Sequence, residues 1–207
     1  PRRGIHWVPR RRSARIVTKL PPKILISAYL QGAFPMAVEG KLHWFSPDPR
    51  AIIPLQGFHA PKSLMQTVRR RPFEIRINAA FSEVIEACAK RPEGSWINRE
   101  IIRSYCDLHR LGLAHSVEAW RDDKLVGGLY GVSIGGAFFG ESMFHRARDA
   151  SKVALVHLVD RMRERRFRLL DIQFTTAHLQ RFGAVEIPRD EYLCRLEEAV
   201  VLPVEFV

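Results

Sequence analysis

The sequence predicts an α+β protein with a mixed sheet, in which a small N-terminal domain precedes a larger sheet domain of about 150 residues. Three observations carry that prediction. Apolar residues recur at helical spacing in some segments and alternate in others, so both element types are present. Strand-like segments follow one another through the middle of the chain, and helices then alternate with strands toward its end. The stretch from Phe34 to Pro61 is rich in Pro and Gly, with Pro35, Pro47, Pro49, Pro54 and Gly57, which suits short strands, loops and a boundary.

The elements follow in order. Pro21 and Pro22 open a helix over Lys23 to Gln31, and Gly32 stands where it would stop. Pro61 opens a short helix, and Phe73, Ile75 and Ile77 alternate as a strand. Phe81, Val84, Ile85 and Cys88 fall at helical spacing. Asn98 can cap a helix whose buried stripe is Ile101, Tyr105 and Leu108, ended by Gly112. A strand from His115 to Trp120 turns at Asp122 and Asp123 into an apolar strand, Leu125 to Ile134. Gly135-Gly136 is a tight hairpin signal that returns the chain through Ala137 to Phe144. Leu155, Leu158, Val159 and Met162 mark an amphipathic helix, Leu169 to Phe174 a strand, and Thr175 to Phe182 a short helix stopped by Gly183. One more strand and a final helix complete the pattern. This order resembles the acetyltransferase fold of the GNAT superfamily, a likeness of fold that carries no function by itself.

Composition narrows the chemistry. The 207 residues hold 33 Lys and Arg against 22 Asp and Glu, a formal charge of +11 that attracts phosphate or anionic lipid. Eight cations and no acid lie within the first 23 residues, so the remainder carries only +3. Residues 1–19 form a basic arm open to disorder, residues 20–58 a small N-terminal domain, and residues 59–207 a GNAT-like catalytic domain. Further knots run Arg69 to Arg71 and Arg161 to Arg168. Three dispersed cysteines make a disulfide scaffold or structural zinc unexpected, and no metal is implied. No long apolar run suggests a membrane span or a secretory leader, so the chain reads as cytoplasmic.

Familiar cofactor signatures are missing. There is no GxxxxGK[ST], no GxGxxG before a helix and no GxSxG. The stretch Arg146 to Lys152, where a coenzyme A enzyme of this fold would carry glycine for the pyrophosphate, has none. No cofactor is expected. Trp44-Phe45-Ser46-Pro47-Asp48-Pro49-Arg50 fixes backbone around a carboxylate and a guanidinium, and fits a functional loop or a rigid structural one equally well. Strand alternation places Glu141 and Met143 on one face, and Asp171 and Gln173 on another. A Glu in so apolar a strand is either paired structurally or kept for a cationic ligand. Asp171 beside Gln173 could hold and deprotonate an amine, or Asp171 could cap a helix or neutralise an arginine. His178 reads as a core or capping histidine.

Together these residues resemble the leucyl/phenylalanyl-tRNA-protein transferase family. The resemblance runs through Ala28-Tyr29, Gly32 to Pro35, Trp44 to Arg50, Ser95-Trp96-Ile97, Ala114 to Trp120 and Leu125 to Gly131. It continues through Gly140 to Phe144, Ala150-Ser151-Lys152, Asp171-Ile172-Gln173, His178-Leu179 and Gly183-Ala184, covering residues 20 to 200 and leaving the arm outside. It implies transfer of leucine or phenylalanine from Leu-tRNA or Phe-tRNA to the N-terminal amine of proteins beginning with Arg or Lys, which marks them for degradation. An aminoacyl ester is already activated, so no ATP or coenzyme A site is required.

By the same resemblance Asp171 and Gln173 are the catalytic pair and Glu141 meets the acceptor's basic residue. Leu129, Phe138, Met143, Leu155, Leu158 and Leu170 line the donor pocket, although each also suits a core. Trp96 stacks on the terminal adenine, with Tyr29 and Tyr105 nearby. Met36 stands where many members have a second adenine-stacking tryptophan, and Trp44 or Phe45 are the rings that could compensate. Thr176 replaces an asparagine near the acceptor, and Leu158 is smaller than the family's common aromatic. The rivals are a coenzyme A-dependent N-acetyltransferase, a non-catalytic RNA-binding protein and a tRNA-dependent ligase of cell-wall peptides.

Overall fold

Seven strands form one sheet in the order β4-β5-β6-β7-β8-β3-β9 in the structure, a computed structural model that describes residues 19–90 and 94–207. The arm lies outside the described residues up to residue 18. In chain order the leading elements are α1 (Pro22–Leu30), the hairpin β1 (Phe34–Val38) and β2 (Lys41–Phe45), and β3 (Arg50–Ile52). Then follow α2 (Lys62–Arg70), β4 (Glu74–Ile77), α3 (Phe81–Ala89), α4 (Arg99–Arg110), β5 (Ala114–Arg121), β6 (Lys124–Ile134) and β7 (Ala137–His145). The chain closes with α5 (Ala150–Glu164), β8 (Leu169–Gln173), α6 (Ala177–Gln180), β9 (Val185–Ile187) and α7 (Arg189–Val200).

The expected meander is β5 to β7, antiparallel throughout, with β6 and β7 joined across Gly135-Gly136, and β4 pairs antiparallel with β5 at the sheet's edge. Crossover through α5 then lays β8 parallel to β7, pairing Ala137–Phe139 with Leu169–Asp171. β3 inserts antiparallel between β8 and β9, which places Arg50 inside the large sheet.

Helices cover both faces, so the core has two layers. On one face α1, α3, α4 and α7 enclose Tyr29, Tyr105, Tyr130, Phe139 and Phe144. On the other α5, with α2 against it, encloses Leu129, Phe138, Leu155, Leu158 and Leu170. α5 is buried along most of its length, because it packs on β5, β6 and β7 at once. Its first turn lies so close to β6 that a Cβ at Gly127 would sit 2.5 Å from the Ala150 Cβ.

Three local expectations shift. α1 begins at Pro22 and ends at Leu30, with Gln31 as its C-cap. The helix expected over Thr175 to Phe182 contracts to α6, because the Thr176 hydroxyl accepts from the Leu179 N–H and so caps the helix from outside it. Glu141 and Met143 do not share a face. Tyr130 pairs with Ser142 and Gly131 with Gly140, so Glu141 is the extra residue of a β-bulge and reverses the alternation. Glu141 consequently meets the tyrosines of the first layer, whereas Met143 packs with the second.

Candidate active site

The parallel pairing of β7 and β8 stops at Phe139 and Asp171, while β7 runs on to His145 and bulges at Glu141. β8 ends at Gln173, whose φ of +59° turns the chain aside. Between the diverging strands opens a cavity of about 290 Å³. This is where mixed and parallel sheets ordinarily take ligands, beyond the carboxyl ends of strands.

Its walls are apolar. Leu129 comes from β6, Met143 from β7, Leu155 and Leu158 from α5, and Leu170 and Ile172 from β8. Phe34, Met36, Trp96 and Phe174 line it as well, with the Phe34 and Phe174 rings edge to face at 5.8 Å. Trp96 is tied to β1 through the Ala37 N–H, which donates to the Trp96 carbonyl at 3.1 Å.

The polar lining converges on Glu141. Its Oε1 accepts from the Tyr29 hydroxyl at 2.7 Å and from the Gln173 Nε2 at 3.3 Å, and its Oε2 accepts from the Tyr105 hydroxyl at 3.4 Å. The two tyrosine hydroxyls also hydrogen-bond each other. Burial pushes the Glu141 carboxyl up to about 8, and the nearby Asp171 charge adds to the rise while the Tyr29 hydroxyl opposes it. Burial, then the Glu141 charge, raises both phenols well above their ordinary value, so they remain donors.

Asp171 lies behind this lining and is fully buried. Its Oδ1 accepts from the Arg50 Nε and from the Gln173 backbone N–H, each at 2.9 Å. Its Oδ2 accepts from the Arg50 Nη2 at 2.6 Å and from the Tyr192 hydroxyl at 2.9 Å. Arg50, only 1% exposed, also donates to the Gly32 carbonyl at 2.8 Å and lies between the Phe34 and Tyr192 rings. Gly32 has a φ of +73°, and a Cβ there would come 2.9 Å from Leu193 and 3.1 Å from Tyr192. The loop that precedes Arg50 is anchored by Asp48, which accepts from the Arg189 N–H at the start of α7.

Of the residues singled out in the sequence, Glu141, Gln173, Trp96, Met36, Leu129, Met143, Leu155, Leu158 and Leu170 meet around one cavity. Tyr29 and Tyr105 stand one layer behind Glu141. Asp171 and Phe138 do not line the cavity; the Phe138 ring lies 5.0 Å from Phe206 in the second core layer. Trp44 and Phe45 do not line it either: Trp44 is exposed, and Phe45 stacks on Phe34. Phe34, Phe174 and His178 line the cavity although no sequence signal had placed them there. Nor did one reveal Tyr192, and although the sequence allowed Asp171 to neutralise an arginine, it did not say that the arginine was Arg50.

A second groove of about 660 Å³ shares His178 with the cavity. Arg70, Arg121, Arg148, Lys152 and Arg181 line it, and Asp149 is the acid among them. These cations come from widely separated segments. By contrast, two arginines of the 161–168 run are engaged by the protein itself: Arg161 donates to the Phe206 carbonyl and Arg163 to the Leu55 carbonyl. Among the described residues no group of three His, Cys, Asp or Glu could hold a metal ion, and no helix is long and apolar enough to cross a membrane.

Family models described as leucyl/phenylalanyl-tRNA protein transferase and as its N-terminal domain match residues 52–197 and 18–48. A leucyl/phenylalanyl-tRNA–protein transferase of Herpetosiphon aurantiacus is 56% identical over 88% of this chain and 95% of its own length. Another so named, from Gloeobacter violaceus, is 55% identical over 92% of this chain and its full length. One from Phenylobacterium zucineum is 55% identical over 88% of this chain and 85% of its own.

Proposed function

We propose how the cavity works from one premise: the chain belongs to the leucyl/phenylalanyl-tRNA protein transferase family and is an aminoacyltransferase that moves leucine or phenylalanine from tRNA to protein. The observation that carries the proposal is the combination of an apolar pocket, an indole at its lining and one carboxylate where the strands part. The donor's side chain enters among Leu129, Met143, Leu155, Leu158 and Leu170. Trp96 stacks on the terminal adenine, a contact worth about 1–3 kcal/mol, with Phe34, Phe174 and the Met36 thioether completing the apolar surround. The acceptor is a protein whose N-terminal residue is Arg or Lys, and the Glu141 carboxyl meets its cationic end, whose charge favours the ionised form of the carboxyl. Thr176 borders the path of that acceptor.

Gln173 is the member of the expected catalytic pair that reaches the cavity. Its side chain donates toward Glu141 and orients the incoming amine. Asp171 is a positioning residue: by accepting from the Gln173 N–H it holds the left-handed turn that aims the carboxamide. The groove that shares His178 carries the tRNA backbone, since phosphate contacts from Arg70, Arg121, Arg148, Lys152 and Arg181 need no base recognition.

A basic arm (residues 1–19) and a small N-terminal unit (20–58) precede a GNAT-like catalytic unit (59–207), and β3 joins the last two by entering the sheet. The reaction takes place in the cytoplasm and marks its products for degradation. A coenzyme A reading is less favoured, because the turn before α5 is closed by Asp149 pairing with Lys152 rather than opened by glycine.

The test is transfer from labelled Leu-, Phe- and Met-tRNA to peptides beginning with Arg, Lys or Ala. Arg and Lys peptides should exceed the Ala peptide by about 10-fold or more, the discrimination a single charge contact supports. Equal transfer to all three peptides removes the acceptor assignment. Gln173→Ala should lower the transfer rate about 100-fold at unchanged tRNA affinity.

A further inference from the structure

The geometry points to Glu141 as the general base that takes the acceptor's proton, a role beyond attracting its charge. This rests on the aminoacyl-transfer reading above. An α-ammonium cannot attack an ester until it loses a proton, and its ordinary pKa of about 7.7–8.0 leaves it largely protonated at neutral pH. The site therefore needs a group that can accept a proton and that faces the cavity.

Asp171 does not meet that need. All four of its hydrogen-bond positions are filled, by Arg50 twice, by the Gln173 N–H and by Tyr192, and it is fully buried against a guanidinium. Gln173 presents a neutral carboxamide, whose basicity is negligible. Tyr29 and Tyr105 stay protonated. His178 lines the cavity, but burial and then the charges of Lys152 and Arg181 lower its pKa, and those cations repel an incoming ammonium. Glu141 is left, a carboxyl in the cavity lining with hydrogen-bond donors on three sides that favour its ionised form.

The groups facing Glu141 are Tyr29 of α1, Tyr105 of α4, Arg50 of β3, and Asp171 and Gln173 of β8. Their sum with burial places its carboxyl at about 8, beside the ordinary value of the α-amine, so proton exchange between the two is close to balanced. In the transfer step Glu141 accepts one proton from the ammonium, and the freed nitrogen lone pair forms the C–N bond to the ester carbonyl carbon. The bond from that carbon to the ribose oxygen breaks, its electron pair staying on oxygen. The proton held by Glu141 passes to that oxygen, and the second nitrogen proton leaves to water. Glu141 is ionised again for the next cycle.

The experiment is single-turnover transfer from saturating Leu-tRNA to a saturating Arg-initiated peptide, followed from about pH 6 to pH 9.5. A second acceptor, the same peptide with an N-terminal hydrazine in place of the amine, is less basic and largely neutral at pH 7, so its attack does not wait on removal of a proton. Glu141→Gln should lower the amine rate about 100- to 1,000-fold at pH 7, show a deficit that narrows as pH rises through the acceptor's own pKa and frees the amine without a base, and recover to within about 10-fold of wild type on the hydrazine. Glu141→Asp, which keeps the carboxylate one methylene further back, should show a smaller deficit at pH 7 than Glu141→Gln. Recovery on the hydrazine also shows that the variant is folded.

A raised KM for the Arg peptide with unchanged saturating rate and pH profile in Glu141→Gln would overturn the proposal and leave Glu141 as a binding residue only. A deficit in His178→Ala that narrows with rising pH and is absent on the hydrazine, with no such deficit in Glu141→Gln, would move the role to His178. No transfer by the wild-type chain from either aminoacyl-tRNA would instead sink the transferase reading itself.

Discussion

Asp171 shows how a residue that reads as catalytic in a sequence can have its carboxylate fully engaged by the fold. Its carboxylate is used up by Arg50, Tyr192 and the Gln173 N–H, so its charge serves to hold the guanidinium between two rings and the turn at Gln173. Removing one partner of a buried ion pair leaves the other charged and unsolvated, at a cost of about 3–5 kcal/mol. Asp171→Asn should therefore lose roughly that much stability in urea unfolding as well as activity. An activity loss without a change in the unfolding midpoint would return Asp171 to a direct chemical role. The sequence alone offered both uses of this aspartate, because strand spacing places a side chain near a face without saying which neighbours have already taken its lone pairs.

At the scale of elements, a one-residue bulge and one short helix shape the site. Without the extra residue at Glu141, alternation along β7 would carry the carboxylate and Met143 to the same side. With it, the carboxylate reaches the tyrosines of α1 and α4, and the thioether reaches the apolar wall of the cavity. α4 delivers Tyr105 and begins at Asn98, whose side chain accepts from the Ile101 N–H at 2.9 Å. Loss of that cap by Asn98→Ala should cost about 1 kcal/mol in thermal or denaturant unfolding while leaving the transfer rate within about 2-fold, since Tyr105 is held by packing on its other side. A large rate loss at unchanged stability would mean that the cap itself shapes the site. The cap and the 3.6-residue stripe of α4 were readable from sequence, since both are local. The bulge was not, because nothing in Gly140-Glu141-Ser142 says which of its residues the partner strand leaves unpaired.

For the whole molecule, the charge of +11 divides into an arm and a body with different standing. Five of the body's cations meet in the groove beside His178, whereas Arg161 and Arg163 of the 161–168 run donate to backbone carbonyls of the protein itself. Replacing Arg148, Lys152 and Arg181 together with alanine should weaken tRNA binding and reduce the slope of log K against log salt by about 0.7–0.9 for each phosphate no longer neutralised. An unchanged slope would remove the groove from the tRNA path. The sequence by itself determined the α+β class, the order of elements, the family and most residues of the cavity, because periodicity, turn chemistry and short motifs are written within a few residues of one another. Tertiary structure alone decided that Arg50 occupies Asp171, that Tyr192 from the final helix joins them, and that Glu141 stands open to the cavity. Those contacts join residues up to 142 positions apart, and which lone pairs remain free is a property of packing that no local pattern encodes.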